Sequence, residues 1–320
     1  MNSSPKTLLL IDANSLIHRA FHALPPLTSK DGRPGQALYG ISSVLLKLRQ
    51  SDWPEYAAAL FDRPEPTFRK ERYPEYKATR PKVADELVEQ IIKARDLFPQ
   101  FGIRVFEKPG FEADDLIATL AKKFGDEPNL QVIILTGDLD TLQLVRDGHI
   151  LVRVFKRGIT ETMTYDERAI EERYLGLRPD QLADYKALVG DTSDNVKGVE
   201  GVGPKTATAL LKKFGTLDHI IENLDSEPSL KKKFSEFKEQ ATFSRELVIL
   251  TGNADVGPLS LQDLEVRCDP ETVTRYFESL GFQSLAKRLH PKEEGDKAPV
   301  EKAKKPQPQK HSNPAQGAMF

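Results

Sequence analysis

Carboxylates recur at the ends of apolar runs in this sequence. TLLLID closes on Asp12 and YAAALFD on Asp62, while PGFEADD supplies Glu112, Asp114 and Asp115. VIILTGDLD ends in Asp138 and Asp140, and GDTSDN adds Asp191 and Asp194. Singly, each has an ordinary structural reading: Asp114 and Asp115 suit the first turn of a helix, Glu112 its cap, and Asp191 and Asp194 a turn. Jointly they do not, because like charges converging on one edge repel and need cations to neutralise them. Carboxylate oxygens without adjacent His or Cys favour hard divalent ions, Mg²⁺ or Mn²⁺, over zinc. Nine acidic ligands exceed the needs of one Mg²⁺, which usually keeps several waters, so two ions are the better fit. Such a pair stabilises the attacking and leaving oxygens of phosphodiester hydrolysis, and metal-assisted attack of water on phosphate is the expected chemistry.

Cations to receive the phosphate follow Asp62 directly. From Arg63 to Lys82 seven Lys/Arg stand against three Glu, a local charge of +4, with Phe68, Tyr73 and Tyr76 interleaved. That composition suits stacking on bases while holding a backbone. Lys77 and Arg80, next to Tyr76, could place two cations over a phosphate positioned by the metals, and Arg69 lies in the same stretch. A solvated, Pro-broken surface loop competes with this reading and is weakened by the tether to Asp62.

A second phosphate contact is offered by GVEGVGPKTA, Gly198 to Ala207. It approaches a nucleotide-binding P-loop, but Pro204 intrudes before Lys205 and Thr206. Gly201 and Gly203 allow a tight turn, and Pro204 suits a first helical position. Backbone N–H groups there would hold phosphate without reading sequence, aided by four lysines against one Glu between Lys197 and Lys213. Plain helix–turn–helix packing is the alternative.

Elements that would position these groups alternate along the chain. Strands are expected over 7–12, 56–62, 103–110, 131–138 and 149–155, with amphipathic helices over 41–50, 84–98 and 113–124. This alternation predicts a parallel sheet covered on both faces, with ligands bound at the carboxyl ends of its strands. From about residue 165 the pattern is purely helical, with a further helix or two expected over 227–250 and a close in DPETVTRYFESLGF and QSLAKRL. The expected domains are therefore an α/β core over 6–165, with a basic arch at about 64–90, and a helical DNA-binding region over 166–290. Residues 291–320, rich in Pro, Lys, Gln and Ala, read as a disordered tail or linker.

Composition narrows the class. At 320 residues, 39% hydrophobic and 29% charged, the chain is an ordinary globular protein with ample core. Its apolar runs are too short to span a membrane, and the N-terminus lacks the long apolar region of a signal peptide. One cysteine, Cys268, excludes an internal disulfide framework and a cysteine zinc cluster, so a cytoplasmic setting is expected. The net charge of −2 hides segregated basic and acidic patches, as suits a polyanion bound across a metal-filled acidic site.

LLLIDANSLIHRAFHALPPL, FDRPEPTFRKERYPEYKATRP, PGFEADD, TGDLDTLQLV, GDTSDNVKGVEGVGPKTA and SLGFQSL occur in this order. Together they resemble the 5′–3′ exonuclease domain of bacterial DNA polymerase I, within the structure-specific 5′ nuclease (flap endonuclease) superfamily, over about residues 6–290. The resemblance implies a PIN-like α/β core, a helical C-terminal part with a helix–three-turn–helix element at 198–207, and a two-metal site on the nine carboxylates. It further implies that Lys77 and Arg80 contact the scissile phosphate, that Tyr76 lies near the bases, and that Arg19 is another cation beside the site. At the glycine turn, with Lys197, Gly201, Gly203, Lys205 and Thr206, it implies a duplex-backbone grip and a K⁺ ion held by main-chain carbonyls. The implied substrates are flapped, nicked or RNA-primed duplexes, cut by a monomer in the bacterial nucleoid, in a pathway shared with a polymerase. No polymerase activity is expected of the chain itself. Three other readings stand beside this one: a P-loop NTPase, a non-catalytic DNA-binding scaffold, and a PIN-like ribonuclease without glycine turn or arch.

Overall fold

The computed structural model describes residues 4–224 and 237–290. β1 (Lys6–Asp12) is the central strand, and the parity of its residues sets the architecture. Leu9 and Ile11 join one buried cluster while Leu8 and Leu10 join another, as the two-residue period of a strand covered on both faces requires. α1 (Ala13–Ala23), α2 (Gln36–Ser51) and α4 (Asp85–Gln100) cover the first face; α5 (Ala113–Phe124) covers the second. α3 (Phe68–Arg72) is a short helix in the basic stretch.

The sheet is completed by β2 (Tyr56–Phe61), β3 (Arg104–Glu107), β4 (Leu130–Thr136), β5 (Ile150–Arg157) and β6 (Glu161–Tyr165), in the order β3-β2-β1-β4-β5-β6. β3 through β5 run parallel; β6 pairs antiparallel with β5. The chain builds outward from β1 to β3, then returns to lay β4 against the other side of β1. This reversal opens a crevice at the carboxyl ends of β1 and β4, the place where open α/β sheets bind ligands.

α6 (Glu167–Arg173), α7 (Leu182–Val189), α8 (Pro204–Phe214), α9 (Leu217–Glu222) and α10 (Phe237–Val248) follow. A two-stranded ribbon, β7 (Gly190–Asp191) with β8 (Val196–Lys197), lies between α7 and the glycine turn. Gly198 touches backbone there: a Cβ on it would lie 2.3 Å from the carbonyl carbon of Val189, so no larger residue fits. Gly201 takes φ +75°, and Gly203 caps α8 with Pro204 at its first position.

One strand was not expected, and two expectations need correction. β6 belongs to the sheet although its pattern is polar, because four of its five residues face solvent. The strand expected over 103–110 is confined to Arg104–Glu107. α11 (Pro270–Leu280) and α12 (Gln283–Leu289) do not extend the helical region: Val273, Phe277, Phe282, Leu285 and Leu289 are buried against α2 and α4 in the core. Of the helix expected over 227–250, residues 227–236 lie outside the described residues, as does the 291–320 tail. Among the described residues no helix is long and apolar enough to cross a membrane.

Candidate metal centre and nucleic-acid interface

Asp12 ends β1 and caps α1. It is 5% exposed, with Oδ1 accepting from the Ser15 N–H (2.9 Å) and Oδ2 from the Thr136 hydroxyl (2.6 Å). Burial, opposed in part by these bonds and aided by the charges of Asp62 and Asp138, pushes its carboxyl up to about 7. Asp62 follows β2 and accepts from the Ala113 N–H at the start of α5 (2.7 Å). Asp138 follows β4, and its Oδ1 accepts from the Asp140 N–H (2.9 Å). Asp114, in the first turn of α5, is raised well above the carboxylate range by burial and by Asp12 and Asp138. Its Oδ1 is buried without a hydrogen-bond partner.

The opposite wall is organised differently. Asp140, Asp191 and Asp194 bring one carboxylate oxygen each within 4.8 Å of one another. The Lys186 ammonium, from α7, bridges Asp140 and Asp191. Burial opposes its charge, but the two carboxylates outweigh burial and keep it protonated. Asp191 is held low because Lys186 and Ser193 outweigh burial, whereas burial and the Asp138 charge push Asp140 up to about 7. Asp194 is paired with Arg80, and Lys77 Nζ bonds Glu112 Oε1 at 2.6 Å. Lys77 sits at φ +55°, with its N–H on the Asp194 carbonyl (2.9 Å), an uncommon conformation for a residue with a side chain.

Between the walls lies a cleft of about 660 Å³, lined by carboxylates from both sides together with Lys77, Arg80 and Lys186. Asp12, Asp62, Glu112, Asp114, Asp138, Asp140 and Asp191 all reach it. Carboxylate oxygens dominate the donor set, with His18 contributing an imidazole to the lining, and the stranded Asp114 oxygen lacks the partner that a buried acceptor requires. Both features fit hard divalent cations.

Four sequence-based assignments are not met by this geometry. Asp115 is fully buried and turns away from the cleft, its oxygens taken by Arg69, Thr251 and the Glu112 N–H. Arg69, 1% exposed, is locked on Asp115 and has no access to a DNA backbone. Tyr76 is 3% exposed, and its hydroxyl lies between Glu112 Oε2 (3.0 Å) and Asp194 Oδ2 (2.9 Å) rather than on an open face for bases. Burial and those two negative charges raise its phenol strongly, so it stays protonated. Arg19 bonds the Gly158 carbonyl and lies over the Phe155 ring, outside the cleft lining. Lys197, Gly201, Gly203, Lys205 and Thr206 are exposed around the start of α8, which has no side-chain cap.

The relatives of this chain can now be set against the geometry. A family model described as 5′-3′ exonuclease, N-terminal resolvase-like domain, matches residues 7–175, and one described as 5′-3′ exonuclease, C-terminal SAM fold, matches 177–271. The chain belongs to the 5′-3′ exonuclease family. DNA polymerase I of Bacillus subtilis is 39% identical over 287 residues, covering 89% of this chain and 32% of the relative. The chain thus spans about a third of the length of the polymerase relatives it matches. A 5′-3′ exonuclease of Aquifex aeolicus is 37% identical and covers 89% of this chain and 95% of its own. The bacteriophage T5 flap endonuclease, solved as a pseudo-enzyme-product complex with DNA and metal ions, shares the fold: TM-score 0.61, 23% identity, with 89% of this chain and 97% of that one covered.

In this 5′-3′ exonuclease chain, sequence reasoning missed Lys186, and also Ser15, Thr136 and His18, which line or brace the cleft. His18 is lowered by burial and by the charge of His22. The only sequence sign of Lys186 was its place, five residues before Asp191 on a helix that ends at the acidic turn.

Proposed function

We propose that the chain is a divalent-metal-dependent 5′–3′ exonuclease and structure-specific 5′ flap endonuclease acting in DNA replication and repair. The observation that carries this reading is the partnerless buried oxygen of Asp114, beside Asp12, Asp62 and Asp138 in a cleft that Asp140 and Asp191 also line, with Asp194 clustered on those two. The first group and the second would each hold one Mg²⁺ or Mn²⁺. When bound, such a pair supplies a nucleophile at neutral pH and counter-charge for the attacked phosphate and the leaving oxygen.

The protein's own groups do the rest. Lys77 and Arg80 exchange their carboxylate partners for the scissile phosphate once cations occupy the acidic groups. Thr136, Ser15 and the Ala113 N–H fix the carboxylates of Asp12 and Asp62. The exposed N–H groups at the start of α8, with Lys205 and Lys197, hold a duplex backbone, with K⁺ at the glycine turn. Fixed carboxylates, movable cations and a distant backbone grip suit flapped, nicked or RNA-primed duplexes. A polymerase in the same pathway is the natural consumer of the cleared end.

A P-loop NTPase is disfavoured, because the glycine turn follows the short β8 rather than a strand of the main sheet. A 5′-labelled flap should release short products only with divalent metal. Asp140→Asn should abolish cutting while DNA is still bound; full activity in that variant would remove the metal assignment.

A further inference from the structure

Arg69 joins three parts of the molecule. Nη1 and Nη2 bind the two oxygens of Asp115 at 2.7 and 2.8 Å, and Nη1 also reaches Glu112 Oε2 at 3.3 Å. Nε and Nη2 donate to the main-chain carbonyls of Leu247 and Ile249, both at 2.8 Å. These carbonyls lie at the end of α10, where a helix leaves acceptors without internal partners. Asp115 then receives the Glu112 N–H at 3.2 Å, completing a capping box at the start of α5. Further back on α10, Ser244 and Gln240 donate to the carbonyl of Lys197, the residue before the glycine turn. Contacts therefore run unbroken from the turn through α10, Arg69 and Asp115 to Glu112.

We propose that Arg69 is a positioning residue, fixing the first turn of α5, with Glu112 and the cleft-lining Asp114, for cation binding by clamping the start of α5 to the end of α10. The proposal rests on the reading of the cleft as a metal centre. Only a planar fork with five donors satisfies a carboxylate and two separate carbonyls at once; a lysine ammonium has three donors and no fixed plane. Without the clamp Asp115 loses its orientation, and Glu112 loses the partner of its N–H. Partners that orient metal ligands typically govern affinity by about 10- to 100-fold.

The test compares wild type, Arg69→Lys, and Arg69→Met combined with Asp115→Leu. Replacing a buried ion pair by apolar residues often preserves stability, so the double variant separates folding from positioning. Mn²⁺ binding is followed by electron paramagnetic resonance without DNA, alongside thermal melting and flap cleavage against Mg²⁺ concentration. Both variants are expected to weaken Mn²⁺ binding by about tenfold or more and raise the Mg²⁺ half-saturation to match. Duplex binding in EDTA should stay within about twofold, because the glycine turn is untouched. Wild-type Mn²⁺ affinity in Arg69→Lys overturns the proposal, even if the double variant binds poorly, since the loss then belongs to Asp115. Should the double variant not fold, Arg69→Lys alone decides. A wild type that binds no Mn²⁺ would overturn the metal-centre reading and this inference with it.

Discussion

On the strand-end wall of the cleft, Asp12 receives hydrogen bonds from Ser15 and Thr136 and pairs with no cation among the described residues, and Asp114 keeps an oxygen without a partner there. Elsewhere on the cleft, Asp191 is met by Lys186 and Asp194 by Arg80, and Lys77 reaches back to Glu112 at the cap of α5. The two walls carry the same kind of charge and neutralise it differently. Without metal, protons on Asp12 and Asp114 relieve the first wall; Lys186 and Arg80 relieve the second, where Asp140 is raised as well. A divalent ion must therefore displace protons on one side and ammonium or guanidinium groups on the other.

The sharpest way to break this comparison is to remove a carboxylate from the strand-end wall. Asp114→Asn should reduce metal-dependent cleavage by more than about a hundredfold, beyond the typical cost of losing an orienting partner. The same change should make the metal-free melting temperature fall less as pH rises, because the buried carboxyl that must otherwise stay protonated or ionise unpaired is gone. A fall as steep as in the wild type would mean that Asp114 has a structural partner after all.

On the other wall the sign reverses. Lys186→Met should destabilise the metal-free protein by about 2 kcal/mol, since Asp140 and Asp191 lose their shared cation. Added Mg²⁺ should restore most of that loss, measured by denaturant unfolding with and without metal.

The dependence on pH follows from the raised groups. Asp12 and Asp140 titrate near about 7 when folded, against about 4 in an unfolded chain. Between those values the folded state holds more protons, so raising pH through this window should lower metal-free stability. Melting of the metal-free protein from pH 4.5 to 7.5 should thus decline, and saturating Mg²⁺ should flatten the curve. A stability that climbs across the window would assign those carboxylates the wrong environment.

Smallest of all is Arg80→Gln. Arg80 is half-exposed, so its pairing with Asp194 should contribute about 1 kcal/mol or less to stability. Its loss should appear instead as weaker DNA binding, with a salt slope smaller by about one.

The carboxylates of both walls were legible in the sequence, and the Lys186 cation that bridges two of them was not. Asp12, Asp62 and Asp138 follow buried apolar runs, and a parallel sheet delivers every such residue to one edge. Asp114 and Asp115 show the limit. They are adjacent in sequence but about 100° apart around α5, so one enters the cleft and the other turns to Arg69 and Thr251. Nothing in the spelling EADD says which. Arg69 and Tyr76 lie in a basic, aromatic stretch whose composition suits an exposed DNA surface, yet α10 and the acidic turn bury both. Lys186 acquires its role only when α7 is brought against β4's end. The return of α11 and α12 to the core depends on apolar faces matching over far more than a hundred residues of separation, which local periodicity does not report.

The most direct measurement is anomalous diffraction from crystals soaked in Mn²⁺. Two peaks are predicted, one among Asp12, Asp62, Asp114 and Asp138 and the other among Asp140, Asp191 and Asp194, with Asp115 still on Arg69. A single peak, no peak in the cleft, or an ion held by Asp115 would contradict the account.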